Sequence, residues 1–382
     1  MAAFQEYFDE SHQLVRDSVR RFVEREILPH IDDWEEAEEF PRELYKKAGD
    51  AGILGIGFPE QFGGSHEGDL FAKIAASEEL IRSGSTGLVS GLCSLDIGLP
   101  PVLKWAKPAI RDRVVPEVLA GDKIIALAIT EPGGGSDVAN LKTRAVREGD
   151  YYRITGSKTF ITSGARADYY TVAVRTGGEG FGGVSLLFVE KGTPGFTVGR
   201  KLKKMGWWCS DTTELFFDDC LVPVENLIGA ENMGFAGIMA NFQNERLALA
   251  LMANMTSQMA LEDALAWAKE RKAFGKPISK FQVIKHRLAE MATQLEVSRE
   301  FTYRQAAKMS AGKNVVKEIS MAKNFATDVS DRITYDATQI LGGMGFMRES
   351  RVERLYRDNR ILSIGGGTRE IMNEIISKQM GL

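Results

Sequence analysis

The sequence predicts an α+β chain that runs helices, then strands, then helices again. Three observations support this. Residues 11–120 carry apolar side chains at helical spacing. From residue 123, short β-rich runs alternate with Gly, Asp and Pro. From Gly234 the helical period returns and persists to the C-terminus. The expected domains are an α-helical one over 1–122, a β domain over 123–230 and a helical one over 231–382.

In "HQLVRDSVRRFVEREILPHI", Val15, Val19, Phe22, Val23 and Ile27 keep the 3–4 spacing of one buried stripe, and Pro29 ends that helix. "KIIALAIT", "YYRITGSKTFIT", "YYTVAVRT", "VSLLFVEK" and "TELFFDDCLV" read as strands. The stretch from Gly234 to Phe274 is long enough for a bundle helix. Further helices are expected around 279–310, 314–342, 349–357 and 368–379. There is no internal repeat.

The 382 residues leave room for two or three domains. Forty-eight basic and 52 acidic residues give a net charge of −4, no electrostatic reason to expect nucleic acid or an anionic membrane. No apolar stretch is expected to reach the roughly 20 residues of a membrane span. Glu6, Asp9 and Glu10 come where a signal or transit peptide would be basic. Cys93, Cys209 and Cys220 are odd in number and lack CxxC spacing, which reads as reduced thiols in a cytoplasmic protein. The four histidines are scattered, so no metal site is expected.

"ALAITEPGGGSDVANLKT", residues 126–143, is a strand followed by a Gly-rich turn ending in Ser136 and Asp137, which offers backbone N–H groups to an anion or a flavin edge. "QILGGMGFMRESRVERLYRD" follows at 339–358. With "KTFITSGARADYY" (158–170), "MGWWCSDTTELFFDDCLVP" (205–223) and "ERKAFGKPISKFQ" (270–282), these resemble the signatures of the acyl-CoA dehydrogenase family. Taken singly, "ERKAF" also reads as a solvated helix end and "GGMG" as a helix-terminating turn. The resemblance covers almost the whole chain in the family's order. It implies a helical N-terminal domain, a β-barrel-like middle domain and a C-terminal four-helix bundle.

The resemblance also implies FAD as cofactor. Leu127, Ile129, Thr130, Gly135 and Ser136 are expected to line the flavin or the thioester end of the substrate. Phe160, Ile161 and Thr162 are expected along the isoalloxazine. Arg271, Phe274 and Gln282, with Gln339, Gly342 and Gly343, resemble residues that a neighbouring subunit gives to the FAD pyrophosphate and adenosine; a guanidinium suits phosphate oxygens. Asn140 and Trp208 depart from the family pattern without touching the expected chemistry.

"ILSIGGGTREIMNEI", residues 361–375, offers two readings from its residues alone: a phosphate cradle, or a turn into a last helix. Its spacing fits neither GxGxxG nor GxxxxGK[ST]. Many members of the resembled family carry their catalytic Glu just before Gly-Thr in this segment, where this chain has Gly366. The isovaleryl-CoA and long-chain branches instead place it on a bundle helix before an Arg, which Glu245-Arg246 resembles. Ile238, Phe242, Leu249 and Met252 share the helix face of Glu245, surroundings that would raise its pKa toward that of a useful base. The resemblance further implies that Gly366 leaves room for the substrate α-carbon and gives its N–H, with a flavin ribityl hydroxyl, to the thioester carbonyl. It puts Thr368 and Glu370 beside FAD and Arg246 near the pantetheine or phosphate part of CoA.

The expected function is α,β-dehydrogenation of a medium- or long-chain or branched acyl-CoA in fatty acid β-oxidation. Electrons would pass to an electron-transfer flavoprotein, and the chain would assemble as a homotetramer. An acyl-CoA oxidase, a flavin monooxygenase of the same fold, a citronellyl-CoA-type dehydrogenase and a non-catalytic assembly partner are the alternatives.

Overall fold

The computed structural model describes residues 4–382; Met1–Ala3, at the head of the expected N-terminal domain, lie outside them. Helix α1 (Glu10–Phe22) starts with a reciprocal cap: the Asp9 carboxylate accepts from His12 N–H at 3.1 Å, and Asp9 N–H donates to the His12 ring at 2.9 Å. The helix runs on through a π-turn over Val23–Ile27. Its stripe of Val15, Val19, Phe22, Val23 and Ile27 is buried throughout. Then come α2 (Ile31–Glu36), α3 (Glu43–Asp50), α4 (Leu70–Ile81), α5 (Thr86–Leu92), α6 (Leu95–Trp105) and α7 (Pro108–Leu119). The structure corrects one expectation here. Thr86–Trp105 is long and apolar enough for a membrane span by length and composition. It is broken between α5 and α6, however, and two thirds of it is buried inside the protein, as a core helix pair would be.

Eight strands make the middle sheet: β1 (Ile125–Ala128), β2 (Arg144–Glu148), β3 (Tyr151–Thr162), β4 (Tyr169–Arg175), β5 (Val184–Glu190), β6 (Phe196–Lys201), β7 (Thr212–Pro223) and β8 (Leu227–Ile228). The order is β6-β7-β3-β2-β4-β5-β8, with β1 parallel beside β4 from the Ile125–Tyr169 pair onward. Strands β4 and β5 are buried on both faces, which is why they read as continuous apolar runs. The long β3–β7 ladder slips register between Lys158 and Ile161. At this bulge Phe160 takes φ +58° and stands 68% exposed.

Beside the bulge lies a buried ion pair. Lys158 Nζ donates to Glu131 Oε1 at 2.8 Å and to the Ile129 carbonyl at 3.0 Å. Glu131 also accepts from the Lys142 and Thr143 N–H groups at 2.6 and 2.8 Å. Thr159 N–H donates to the Thr130 carbonyl at 2.9 Å. These bonds tie both ends of the 131–143 loop to the strand that carries Phe160.

The C-terminal domain holds α8 (Gly234–Glu270), the hairpin β9 (Lys272–Ala273) and β10 (Lys276–Pro277), α9 (Gln282–Ser310), α10 (Val316–Leu341), α11 (Gly343–Phe346), α12 (Arg351–Asn359) and α13 (Arg369–Gln379). Helix α10 packs on α8, α9, α12 and α13, and α8 also packs on α9. Arg354 and Arg357 of α12 reach the N-terminal domain through Asp32 at 2.8 Å and Glu35 at 2.9 Å. The fold is thus a helical N-terminal domain, a mixed sheet and a helical C-terminal domain.

Removing one partner of a buried pair strands the other charge. Lys158→Ala should lower stability by about 3–5 kcal/mol in urea unfolding followed by circular dichroism. A loss below about 1 kcal/mol would mean that the pair does not hold the loop.

Candidate functional site

The geometry begins at Gly366. Its φ is +64°, and a Cβ there would lie 2.7 Å from Leu249 Cδ1 and 3.4 Å from Glu245 Oε1. Residues 245 and 366, far apart in sequence, therefore meet in space, and any side chain at 366 would point at the carboxylate. Gly367 has φ +102°, and a Cβ on it would meet Met372 Cε at 2.7 Å. Both glycines are needed for backbone conformation as well as for room.

Helix α8 presents Glu245 from a largely buried face that includes Ile238, Leu249 and Met252. Protein surrounds the carboxylate, yet part of the side chain still meets solvent. Desolvation raises its pKa, against the opposing pull of Lys323 and Arg246. Arg246 is 6% exposed, and its Nε donates to the Gly366 carbonyl at 3.3 Å. It is thus turned onto the glycine run. Burial lowers its pKa, against Glu245.

Lys323 of α10 is the residue that the sequence reading missed. It is 1% exposed, and its Nζ donates to the Gly365 carbonyl at 2.6 Å and also to the Gly367 carbonyl. Burial pulls the ammonium down to about 8; Glu245 pushes the other way and Arg246 adds to the lowering. A signal was present: Ile319, Ser320, Ala326 and Thr327, one turn to either side, are apolar or small and buried, an unusual stripe for a lysine.

The expected flavin segments of the middle domain come together at the bulge. Gly133 and Gly134 have nothing within 4 Å of an added Cβ, and Gly135 meets only Thr130 Cγ2, at 3.7 Å. Gly135 and Ser136 are exposed, and Leu127, Thr130 and Thr162 are half-buried. An outstanding aromatic ring beside an open glycine loop fits a flat cofactor. Ile129 and Ile161 are 8% and 2% exposed, so only their backbones are available to a ligand. Asn140 donates to the Asp137 carboxylate at 2.8 Å, which accounts for its place in this loop. Trp208 stacks under Arg357, whose guanidinium lies 3.5 Å from the ring centre.

The remaining expected residues form two separate groups. At the β9–β10 turn Phe274 has φ +51° and Gly275 φ +80°, and Phe274 is 95% exposed; Arg271 and Gln282 flank the hairpin and are exposed too. Gln339 is exposed near the end of α10, where Gly342 terminates the helix at φ +61° and Gly343 follows. Neither group shares a hydrogen bond or ring contact with Glu245 or Phe160 among the described residues. Thr368 caps α13 by accepting from Ile371 N–H at 3.4 Å. Glu370 is exposed, and hydrogen bonds at that helix start hold its carboxyl below the usual range. Among the described residues no cluster of His, Cys, Asp or Glu could hold a metal ion. Two cavities of about 460 and 480 Å³ lie elsewhere and do not include Glu245.

Comparison with known proteins agrees with this arrangement. The N-terminal, middle and C-terminal domain models of acyl-CoA dehydrogenase match residues 9–122, 126–220 and 232–381. An acyl-CoA dehydrogenase of Bacillus subtilis is 42% identical over 96% of this chain and 97% of its own length. The mitochondrial long-chain specific acyl-CoA dehydrogenase of Sus scrofa is 39% identical over 98% of this chain and 87% of its own. The crystal structure of a probable acyl-CoA dehydrogenase from Mycobacterium abscessus superposes with a TM-score of 0.96 at 51% identity, covering 98% of this chain and all of that one. The chain, with its three domains in order and a bundle-helix carboxylate opposite Gly366, belongs to the acyl-CoA dehydrogenase family.

Proposed function

We propose that this chain is an FAD-dependent dehydrogenase of medium- or long-chain or methyl-branched acyl-CoA thioesters, with Glu245 as its base. One observation supports the reading most: the buried Glu245 carboxylate faces a backbone position where the side chain is missing and a Cβ would fall 3.4 Å away. In this reading the substrate α-carbon occupies the space at Gly366. Glu245 takes the α-proton, and its raised pKa makes it a stronger base than an exposed glutamate. The Gly366 N–H donates to the thioester carbonyl and stabilises the enolate-like charge that forms there. Phe160 and the 133–136 loop would hold FAD, the family's cofactor, which would supply the acceptor for the β-hydride.

The same reading makes an electron-transfer flavoprotein the electron acceptor and puts the enzyme in fatty acid β-oxidation in the cytoplasm. The assembly is a homotetramer. The fully exposed Phe274, together with Phe346 at 83% exposure beyond Gly343, supports burial of these two motifs against a second subunit that they would supply with FAD contacts.

Anaerobic mixing with a panel of straight and branched acyl-CoAs should bleach the oxidised flavin; bleaching with glutaryl-CoA alone would overturn the substrate class. Glu245→Gln should slow that bleaching by roughly 10²–10⁴-fold while acyl-CoA still binds. The same variant should melt no lower than wild type at pH 8. An acid whose folded pKa is raised favours folding less once it is ionised, and Gln removes that cost. An unchanged bleaching rate would exclude Glu245 as base. In Glu245→Gly with Gly366→Glu some rate should return, and adding Leu249→Ala should increase it, because Leu249 Cδ1 stands 2.7 Å from the new Cβ.

The bleaching rate should rise with pH through a pKa above the ordinary glutamate range, about 4.3, since only the ionised carboxylate takes the proton. A rate already flat from pH 5 upward would contradict the raised pKa. Sedimentation should give a tetramer with one FAD per subunit, and a stable FAD-loaded monomer would overturn that assembly.

A further inference from the structure

The run Gly365–Gly367 has the least conformational restraint a chain can have, yet it has to present one N–H group in one direction. Two buried cations from two different helices hold it. Lys323 of α10 takes the carbonyls of Gly365 and Gly367, and Arg246 of α8 takes the one between them. Three successive carbonyls are thus engaged by side chains. Lys323 has only neutral carbonyls as hydrogen-bond partners, an unusual arrangement for a lysine that is 1% exposed. Burying that charge costs stability, so holding the loop shut is a weak reason for it.

The chain has no cis peptide bond. In a trans peptide the N–H of one residue points opposite to the carbonyl of the residue before it. A Gly365 carbonyl pinned to Lys323 therefore sends the Gly366 N–H away from α10. That N–H makes no hydrogen bond within the described residues, while the N–H groups of Ile364 and Gly365 both donate to the Ile361 carbonyl. We propose that Lys323 is a positioning residue for the dehydrogenation: its grip on the Gly365 and Gly367 carbonyls aims the free Gly366 N–H at the thioester carbonyl of the acyl-CoA. The ammonium acts through these peptides and does not touch the substrate. Its charge also polarises the Gly365 peptide, which makes the Gly366 N–H a stronger donor.

The proposal rests on the acyl-CoA dehydrogenase reading, and its test separates the two. The probe is octanoyl-CoA labelled with carbon-13 at the thioester carbonyl, bound to the FAD-loaded enzyme in the Glu245→Gln background so that turnover is slow. Isotope-edited infrared difference spectra report the polarisation of that carbonyl. With Lys323 present the stretch should shift to lower wavenumber than in free octanoyl-CoA, and Lys323→Met should abolish at least half of that shift. In the Glu245 enzyme, Lys323→Met should lower the limiting rate of flavin bleaching about 10²-fold, the size of a lost oxyanion donor, with KM changed less than threefold. Lys323→Gln, which keeps one donor for a carbonyl, should fall between the two and serves if the Met variant does not fold. An unchanged carbonyl shift in a folded Lys323 variant overturns the proposal. So does a variant whose loss is all in KM and FAD content, since that marks a merely structural lysine. Failure of the Lys323 wild-type enzyme to bleach with any acyl-CoA would instead overturn the functional reading itself.

Discussion

The arrangement at the centre of this protein depends on keeping one carboxylate surrounded by protein and beside two buried cations. Desolvation raises the pKa of Glu245 by disfavouring its charged form. Lys323 and Arg246 counter that by favouring the charged form, yet neither is spent in neutralising it: both make their hydrogen bonds to carbonyls of the glycine run. The cations therefore do two jobs at once, and a side chain at Gly366 would crowd both Leu249 and the carboxylate. Helix α10, which supplies Lys323, packs against α8, which supplies Glu245 and Arg246, so the bundle core sets the spacing of the whole cluster.

The same device recurs in the middle domain. Lys158 on β3 is fully buried and donates to a backbone carbonyl, that of Ile129, as well as to Glu131. In both places a flexible glycine segment is restrained by a lysine from a neighbouring regular element, and in both burial pulls the ammonium down to about 8. The difference lies in the partner. Lys158 meets a carboxylate that also collects two backbone N–H groups, which makes a closed structural clip. Lys323 meets only carbonyls, and the Gly366 N–H between them has no hydrogen-bond partner among the described residues. A rigid clip suits a loop beside a flat cofactor, whereas an aimed N–H suits a group that carries charge only during reaction.

Two of the residues in left-handed backbone are exposed aromatics. Phe160 has a positive φ on a β-bulge, Phe274 has one at a hairpin tip, and both rings are exposed. An aromatic residue in that conformation costs energy that a solvent-facing turn gains nothing from. Both positions put an aromatic ring in solvent on left-handed backbone.

Much of this was legible in the sequence because it is written in local patterns. The stripe from Val15 to Ile27, the alternation of β runs with turn residues, and the long period from Gly234 each depend on neighbours a few residues away; the stripe and the quoted β runs fold as read, whereas the helix from Gly234 stops at Glu270, short of Phe274, and gives way to the β9–β10 hairpin. The missing side chain at 366 and the Glu-Arg pair at 245 could be matched to one another by their resemblance to a family, though 120 residues separate Arg246 from Gly366. Packing alone decided the rest. Arg246 turns inward because the nearest acceptor is a carbonyl brought to it by the fold, and no linear spacing encodes that. Ile129 and Ile161 give their side chains to the core because the sheet's pleat sends them there. Lys323 has a stripe of small and apolar neighbours that hints at burial, and only the placement of α10 beside the glycine run makes it a donor to those carbonyls. Sequence determined most of the elements and placed a carboxylate at 245; tertiary structure determined which charges surround it, because burial and partner geometry exist only once distant segments meet.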